Sequence, residues 1–449
     1  MHRTTTDQLV TERIQALDFQ AWRAKVYASG GCAKPIKLTG SGSLVDPDGT
    51  VLYSRSGELF APCGNRRSSV CPACSDRYAA DAFHLIRAGL SGGHKEVPTS
   101  VTEQPRVFLT LTPPSFGPVH TRRTTHNGAL IPCRCGERHH PDDPRIGGAL
   151  DVDTYDYVGA VLWQAHAGQL WHRFAIALRR ALAQRLGVPG RLFRDHARLS
   201  YAKVAEYQRR GLVHFHAAIR LDGPEGPGDP APAGLTSAAL REAILEAAGA
   251  ALVTVERPDD RQLFVEWGAQ LDIRDITATA ADQIEDPDGQ ISEARLAGYI
   301  AKYATKGTGK TEAADRPIRS EYEIDYLGLS THHRRMVETV WELGGLARYE
   351  ELNLRKWAHM LGFRGHFLTK SQRYSTTFRA IRGERHSFQI AHTLHELGHE
   401  GEIAEFLVVN DWRLVGVGHR NEVEKELAEA IGERARHLPG EKSRREEYR

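Results

Sequence analysis

No apolar run in this 449-residue chain reaches the roughly 18 to 20 residues that a membrane-crossing helix needs. The opening MHRTTTDQLVTERIQ carries none of the apolar core of a secretory signal, so a cytoplasmic protein with no membrane partner is expected. Charge of one sign is lacking too. Lys and Arg total 59 against 57 Asp and Glu, a formal net charge of +2, which by itself predicts no nucleic-acid binding. Cysteine is scarce: there are six, they are clustered, and in a cytoplasmic chain that argues for metal more than for disulfides. Internal repeats are absent, and strands and helices mix without a regular βαβ alternation, which favours an α+β fold.

What remains is the profile of a globular protein of two or three domains, 41% hydrophobic and 26% charged. The expected division is an N-terminal zinc-binding region (1–100), a central domain (101–311) and a mostly helical region (312–449). Residues 1–31 read as helical, followed by strands at 37–43 and 50–54 and by a helix at 75–90 capped by Ser75. RVFLTLT at 106–112 is a β-rich run stopped by Pro113 and Pro114. A long helix follows at 157–186, and two strand-like runs, 201–208 and 212–221, flank Arg209, Arg210 and Gly211 as a β-hairpin. An Ala-rich helix at 237–252, one or two strands within 262–276 and a helix at 292–306 complete the central region.

The second hairpin strand, LVHFHAAIRL, puts His214 and His216 on one face and Phe215 on the other, because side chains alternate along a strand. Two imidazoles so placed form a rigid platform for a divalent metal. With a three-residue loop Glu206 stands opposite His214 and supplies a third, anionic ligand; with a two-residue loop Tyr207 would stand there instead. A chain with 22 histidines also yields a His-x-His by chance, so the pair gains weight only in company.

The company is GYIAKYATK at 298–306. Tyr299, Lys302, Tyr303 and Lys306 fall at helical spacing on one face. A phenol attacks phosphorus as the phenolate, and neighbouring ammonium groups favour that form while neutralising phosphate charge. The plain alternative is an amphipathic helix with core tyrosines and lysines reaching to solvent.

Cys63, Cys71 and Cys74, with a Cys-x-x-Cys knuckle directly before a helix, form with Cys32 a four-thiolate set suited to structural Zn²⁺. Arg66 and Arg67 on its loop, and Arg209 and Arg210 in the hairpin loop, are basic pairs suited to phosphate groups. Cys133, Cys135, His139 and His140 suggest a second, smaller zinc site, with His120 and His126 as further candidates. ATKGTGKT at 304–311 loosely matches a phosphate-binding loop but follows a helix instead of a strand. HELGH at 395–399 has the spacing of zinc metalloproteases, with Glu396 as base and Glu402 or Glu405 as a third ligand. A third reading is a non-enzymatic, zinc-containing DNA-binding regulator, with duplex-binding structure near 346–362.

Taken together, EYQRRGLVHFHAAI and the two-tyrosine helix resemble the two-tyrosine HUH endonucleases, a superfamily that includes rolling-circle replication initiators. CGNRRSSVCPACSDRYAADA and WAHMLGFRGHFLTKSQRYSTTF narrow the resemblance to the initiators of actinomycete plasmids and integrative elements. The resemblance implies an antiparallel sheet with flanking helices, Mg²⁺ or Mn²⁺ on His214, His216 and Glu206, and nicking of one origin strand by Tyr299 or Tyr303. It also implies a 5′-phosphotyrosine link and a 3′-OH primer, action on single-stranded and duplex origin DNA, and work beside a host helicase and replication machinery.

Overall fold

The computed structural model describes residues 6–93, 95–277, 291–292, 296–298, 316–399 and 405–437. Two compact units emerge, Phe83–Thr376 and the paired stretches Met1–Ala82 and Thr377–Arg449. In chain order the strands are β1 (Ile36–Val45), β2 (Val51–Ala61), β3 (Arg106–Leu111), β4 (Arg123–Thr124), β5 (Leu130–Ile131) and β6 (Arg198–Tyr207). They continue with β7 (Val213–Asp222), β8 (Val253–Glu256), β9 (Gln262–Val265), β10 (Leu271–Thr277), β11 (Ile291–Ser292), β12 (Leu368–Lys370) and β13 (Leu407–Val417). The chain is a mixed α+β protein built on antiparallel sheets. Among the described residues, no helix is long and apolar enough to cross a membrane.

The unit Phe83–Thr376 is built on a six-stranded sheet in the order β11-β10-β3-β7-β6-β12, antiparallel except for the short β10–β11 pair. Strand β7 sits inside the sheet and its alternation decides both faces. Val213, Phe215, Ala217, Ile219 and Leu221 turn to one side and join a core with Trp163, Trp171, Phe174 and Leu178 of the helix Tyr157–Arg185. Fully burying a side chain such as Phe215 contributes about 1.5–3 kcal/mol, so this face fixes the register of the strand. His214, His216, Arg220 and Asp222 take the other face. There Arg220 pairs with Asp222 at 2.6 Å, Ser200 Oγ donates to Asp222 at 2.7 Å, and Arg220 also donates to the carbonyls of Gly89 and Tyr374. The buried charges are thus matched, as burial demands.

The β6–β7 turn has a three-residue loop: Gln208 N–H donates to Leu212 O at 2.8 Å and Gly211 N–H to Gln208 O at 2.9 Å. Gly211 has φ +77°, and a Cβ there would lie 2.7 Å from Met336 Sδ, so both conformation and space call for glycine. The wholly buried Gln164 clasps the turn, donating to Gly211 O and accepting from Val213 N–H, each at 3.0 Å. Tyr207 Oη donates to Met360 O at 2.6 Å. The hairpin is therefore anchored on both sides of its tip.

In the other unit β13, β1 and β2 form a three-stranded antiparallel sheet, with Trp22, Val26, Phe60 and Ala428 as a small core. Asp81, buried, receives Arg382 at 3.0 Å and Arg385. This arrangement departs from three consecutive domains. The stretch 377–437 returns to the N-terminal residues because β13 pairs with β1 along its whole length, and the region after 312 holds strands β12 and β13 beside its helices. Two smaller expectations also change. The helix near the cysteines begins at Pro72, a residue suited to a first helical position, so Ser75 lies inside it and donates to Arg66 O. Around 346–362 two short 3-10 helices, Ala347–Leu352 and Leu354–Met360, bury Tyr349, Leu354, Ala358 and Met360 in the main core. They present no free recognition helix.

Candidate functional site

Direct pairing of Glu206 with His214 across β6 and β7 brings three ligand atoms together. Glu206 Oε2 lies 3.0 Å from His214 Nε2 and 3.2 Å from His216 Nε2, and the two Nε2 atoms are 3.2 Å apart. Neighbouring ligands on an octahedral ion with bonds of about 2.1 Å stand about 3.0 Å apart, whereas tetrahedral zinc on imidazoles spreads them to about 3.4 Å. At 3.0–3.2 Å the spacing lies between these two values and is short enough for the three atoms to close on one small divalent cation. His216 is buried and His214 and Glu206 are half-buried, so the triad opens on one side.

The surroundings aim the ligands. Thr110 on β3 pairs with His216 across the sheet, and its Oγ1 lies 3.0 Å from Nδ1. That contact fixes the plane of the ring and turns Nε2 toward Glu206 and His214. The Phe108 ring stacks on His216 with centroids 5.6 Å apart and an interplanar angle of 9°. Burial pushes the Glu206 carboxyl up, but hydrogen bonds from His214 and His216 together outweigh it and hold the group at about 2. Burial lowers the pKa of His216 against an opposing pull from Glu206, which favours the neutral ring that ligation requires. Thr110→Val is expected to weaken Mn²⁺ binding by about 10–100-fold, the usual cost of losing a ligand's orienting partner. Titration calorimetry on the two proteins checks this; equal affinities would leave Thr110 without that role. Thr110 lies in the run RVFLTLT, where its place on the face of β3 opposite Val107, Leu109 and Leu111 was the available signal.

Tyr299, Lys302, Tyr303 and Lys306 lie outside the described residues, as does 304–311. Before them, residues 296–298 are helical, with Leu296 and Ala297 fully buried.

A second cluster joins Cys32, Cys63, Cys71 and Cys74. The Sγ atoms of Cys71 and Cys74 each lie 3.7 Å from that of Cys32. A disulfide needs about 2.05 Å, whereas the edge of a tetrahedron of thiolates around zinc is about 3.8 Å. Backbone N–H groups of Cys63 and Ala33 donate to the sulfurs of Cys32 and Cys71, each at 3.3 Å. Hydrogen bonding with Cys71 drives the Cys32 thiol up, and the same contact holds Cys71 well below the ordinary thiol range. Four sulfurs so crowded are a set that a cation such as Zn²⁺ can hold.

The third cluster differs from the four residues named from sequence. His120, Cys133, Cys135 and His139 meet, while His140 is exposed and turns toward Asp142. One of the basic residues also differs from expectation. Arg210 is half-buried and donates to the carbonyls of Pro113 and Pro114, both at 2.8 Å, so its guanidinium braces the loop from inside. Arg209 is exposed and donates to Pro141 O. Arg66 and Arg67 are half-buried beside the cysteine cluster.

Among the described residues HELGH does not have the geometry of a metalloprotease site; Glu402 lies outside them. Its helix, Phe378–Glu396, ends before Gly398, which has φ +76°, so His395 and His399 do not share a continuous helical face. His395 and His399 are exposed and belong to none of the metal-competent clusters among the described residues.

A family model described as replication initiator protein, pSAM2 (RepSA), matches residues 18–433. A replication initiator protein of Streptomyces ambofaciens is 46% identical over 417 residues, spanning 90% of this chain and 88% of its own. No solved structure matches.

Proposed function

The chain belongs to the RepSA family of replication initiators, and from that premise we propose that it starts rolling-circle replication by nicking one origin strand in the manner of two-tyrosine HUH endonucleases. The observation that carries this reading is the convergence of Glu206, His214 and His216 on adjacent strands of an antiparallel sheet. Mg²⁺ or Mn²⁺ held there would act as a Lewis acid on the scissile phosphate.

The chain's own residues supply the rest. One of Tyr299 and Tyr303 attacks phosphorus through Oη, the P–O3′ bond breaks, and the 5′ end stays on the enzyme as a phosphotyrosine. The proton lost by the phenol is balanced by the one taken up at the leaving 3′ oxygen, which becomes a 3′-OH primer. Lys302 and Lys306 favour the phenolate and offset phosphate charge. A second tyrosine at helical spacing allows a further transfer when the origin is regenerated. The thiolate cluster would hold structural Zn²⁺, and Arg66, Arg67 and Arg209 would meet DNA phosphates. A host helicase would open the duplex, because no motif in the chain accounts for that step.

Incubation with a single-stranded origin oligonucleotide and Mn²⁺ tests the reading. The expected result is a covalent adduct that mass spectrometry maps to the peptide containing Tyr299 and Tyr303, and that disappears in the protein carrying both Tyr299→Phe and Tyr303→Phe. An adduct surviving in the double variant would move the nucleophile elsewhere. Origin binding without any adduct in the wild type would favour a non-enzymatic DNA-binding regulator.

A further inference from the structure

We infer that His120, Cys133, Cys135 and His139 form a Cys2His2 zinc site that staples an arginine-bearing loop onto the tip of the metal-binding hairpin. Their four ligand atoms lie within 4.8 Å of one another. His120 Nδ1 stands 3.3 Å from His139 Nε2, close to the roughly 3.4 Å edge of a zinc tetrahedron between imidazoles, and Cys135 Sγ is also 3.3 Å from that Nε2. His139 and Cys133 are buried although the loop around them is exposed on nearly every side.

Two features point to an ion and not to a chance meeting. Asp143 Oδ2 lies 2.8 Å from His139 Nδ1, the carboxylate–imidazole pairing that orients a zinc-binding ring through its other nitrogen. Thr121 N–H points at Cys133 Sγ, 3.4 Å away, as backbone amides do around thiolates. The loop also has little else to fold it. Between residues 117 and 150 its only strands are the two-residue β4 and β5, and its buried apolar side chains are Cys133 and Ala149. Free energy of metal binding serves as folding free energy in segments of this kind.

The staple has a mechanical target. Gly147, with φ +90°, packs so closely on the hairpin tip that a Cβ there would lie 2.5 Å from Arg209 C. Arg209 returns the contact, donating to Pro141 O at 2.9 Å. Glu206 and His214 begin just beyond that tip. The same loop carries Arg122, Arg123, Arg134 and Arg138, all exposed, so a loop held against the hairpin would offer guanidinium groups to the phosphates of single-stranded DNA. This last clause rests on the nicking reading above; the zinc site does not.

Zinc content of the full-length protein tests the site, measured by elemental analysis alongside proteolysis by trypsin. His120→Ala and Cys133→Ser should each hold about one zinc per chain less than the wild type and gain early cuts after Arg134 and Arg138. His120→Cys should keep the metal, since a thiolate replaces an imidazole in a tetrahedral site, and His140→Ala should keep it too. Wild-type zinc content in His120→Ala, or loss of zinc in His140→Ala, would overturn the assignment. Salt-dependent binding of an oligonucleotide separates the second clause. If His120→Ala loses zinc yet binds single-stranded DNA as the wild type does, the staple stands and its DNA-facing role falls.

Discussion

Glu206→Ala is expected to slow Mn²⁺-dependent nicking of an origin oligonucleotide about 1,000-fold or more while leaving the protein folded. Lewis-acid stabilisation at a phosphate is worth several kcal/mol, and each 1.36 kcal/mol is about a factor of ten in rate. Glu206 is the only anion among the three ligands, and both imidazoles lean on its Oε2. Removing it leaves two neutral nitrogens, a set that holds Mg²⁺ or Mn²⁺ poorly because hard cations prefer oxygen. The position also makes a clean test, since Glu206 is half-buried beside the open side of the triad and its loss strands no buried charge. His216→Ala would be a worse probe, because it also removes the partner of Thr110 and the ring stacked on Phe108. Single-turnover rates for both proteins at the lowest Mn²⁺ concentration that saturates the wild type, with circular dichroism to confirm folding, decide the matter. Nicking within tenfold of wild type would detach the triad from the chemistry.

The parts of the molecule that could be read in advance are those governed by local periodicity. LVHFHAAIRL alternates between a core face and a ligand face, and the structure keeps that alternation because Phe215 is packed by Trp171, Trp267 and Phe363. The helix Tyr157–Arg185 and the strand RVFLTL follow equally from their own side chains. What escaped depends on partners distant in sequence. LVVNDWRLVGV has the β-branched composition of a strand, but only its pairing with β1, more than 360 residues earlier, gives it a sheet to join. His120, a further candidate from the sequence, takes the place given to His140 because its backbone, bonded to Gly147 and Gly148, carries the ring back over the knuckle, which spacing near Cys135 does not reveal. Arg210 looked like a phosphate ligand in a basic loop, yet the chain's path places the carbonyls of Pro113 and Pro114 around its guanidinium. HELGH failed for a local reason that was available, since glycine before the second histidine invites the left-handed turn that ends the helix.

Loss of the four-sulfur site should have an effect of another kind. Cys71→Ser is expected to release about one zinc per chain and to expose residues 32–82 to protease, with no gradual loss of affinity in between. Among the described residues of this unit the cluster of Trp22, Val26, Phe60 and Ala428 is small, Leu44, Ile381 and Leu394 are buried apart from it, and the sheet β13-β1-β2 is exposed along much of its length. Structural zinc in small domains is worth about 10–16 kcal/mol at neutral pH, as much as the whole stability of an ordinary domain. A site contributing on that scale to so modest a core cannot be removed in part. Serine at 71 also puts a hydroxyl where Ala33 N–H and the Cys32 sulfur now meet a thiolate, so the buried sulfurs lose both their cation and their donor pattern. Cys63 is the more exposed ligand, and Cys63→His, which keeps four ligands, should retain the metal and the protection. If Cys71→Ser releases its zinc yet resists protease as the wild type does, this unit holds its fold without the metal; if it releases no zinc, Cys71 is not a ligand.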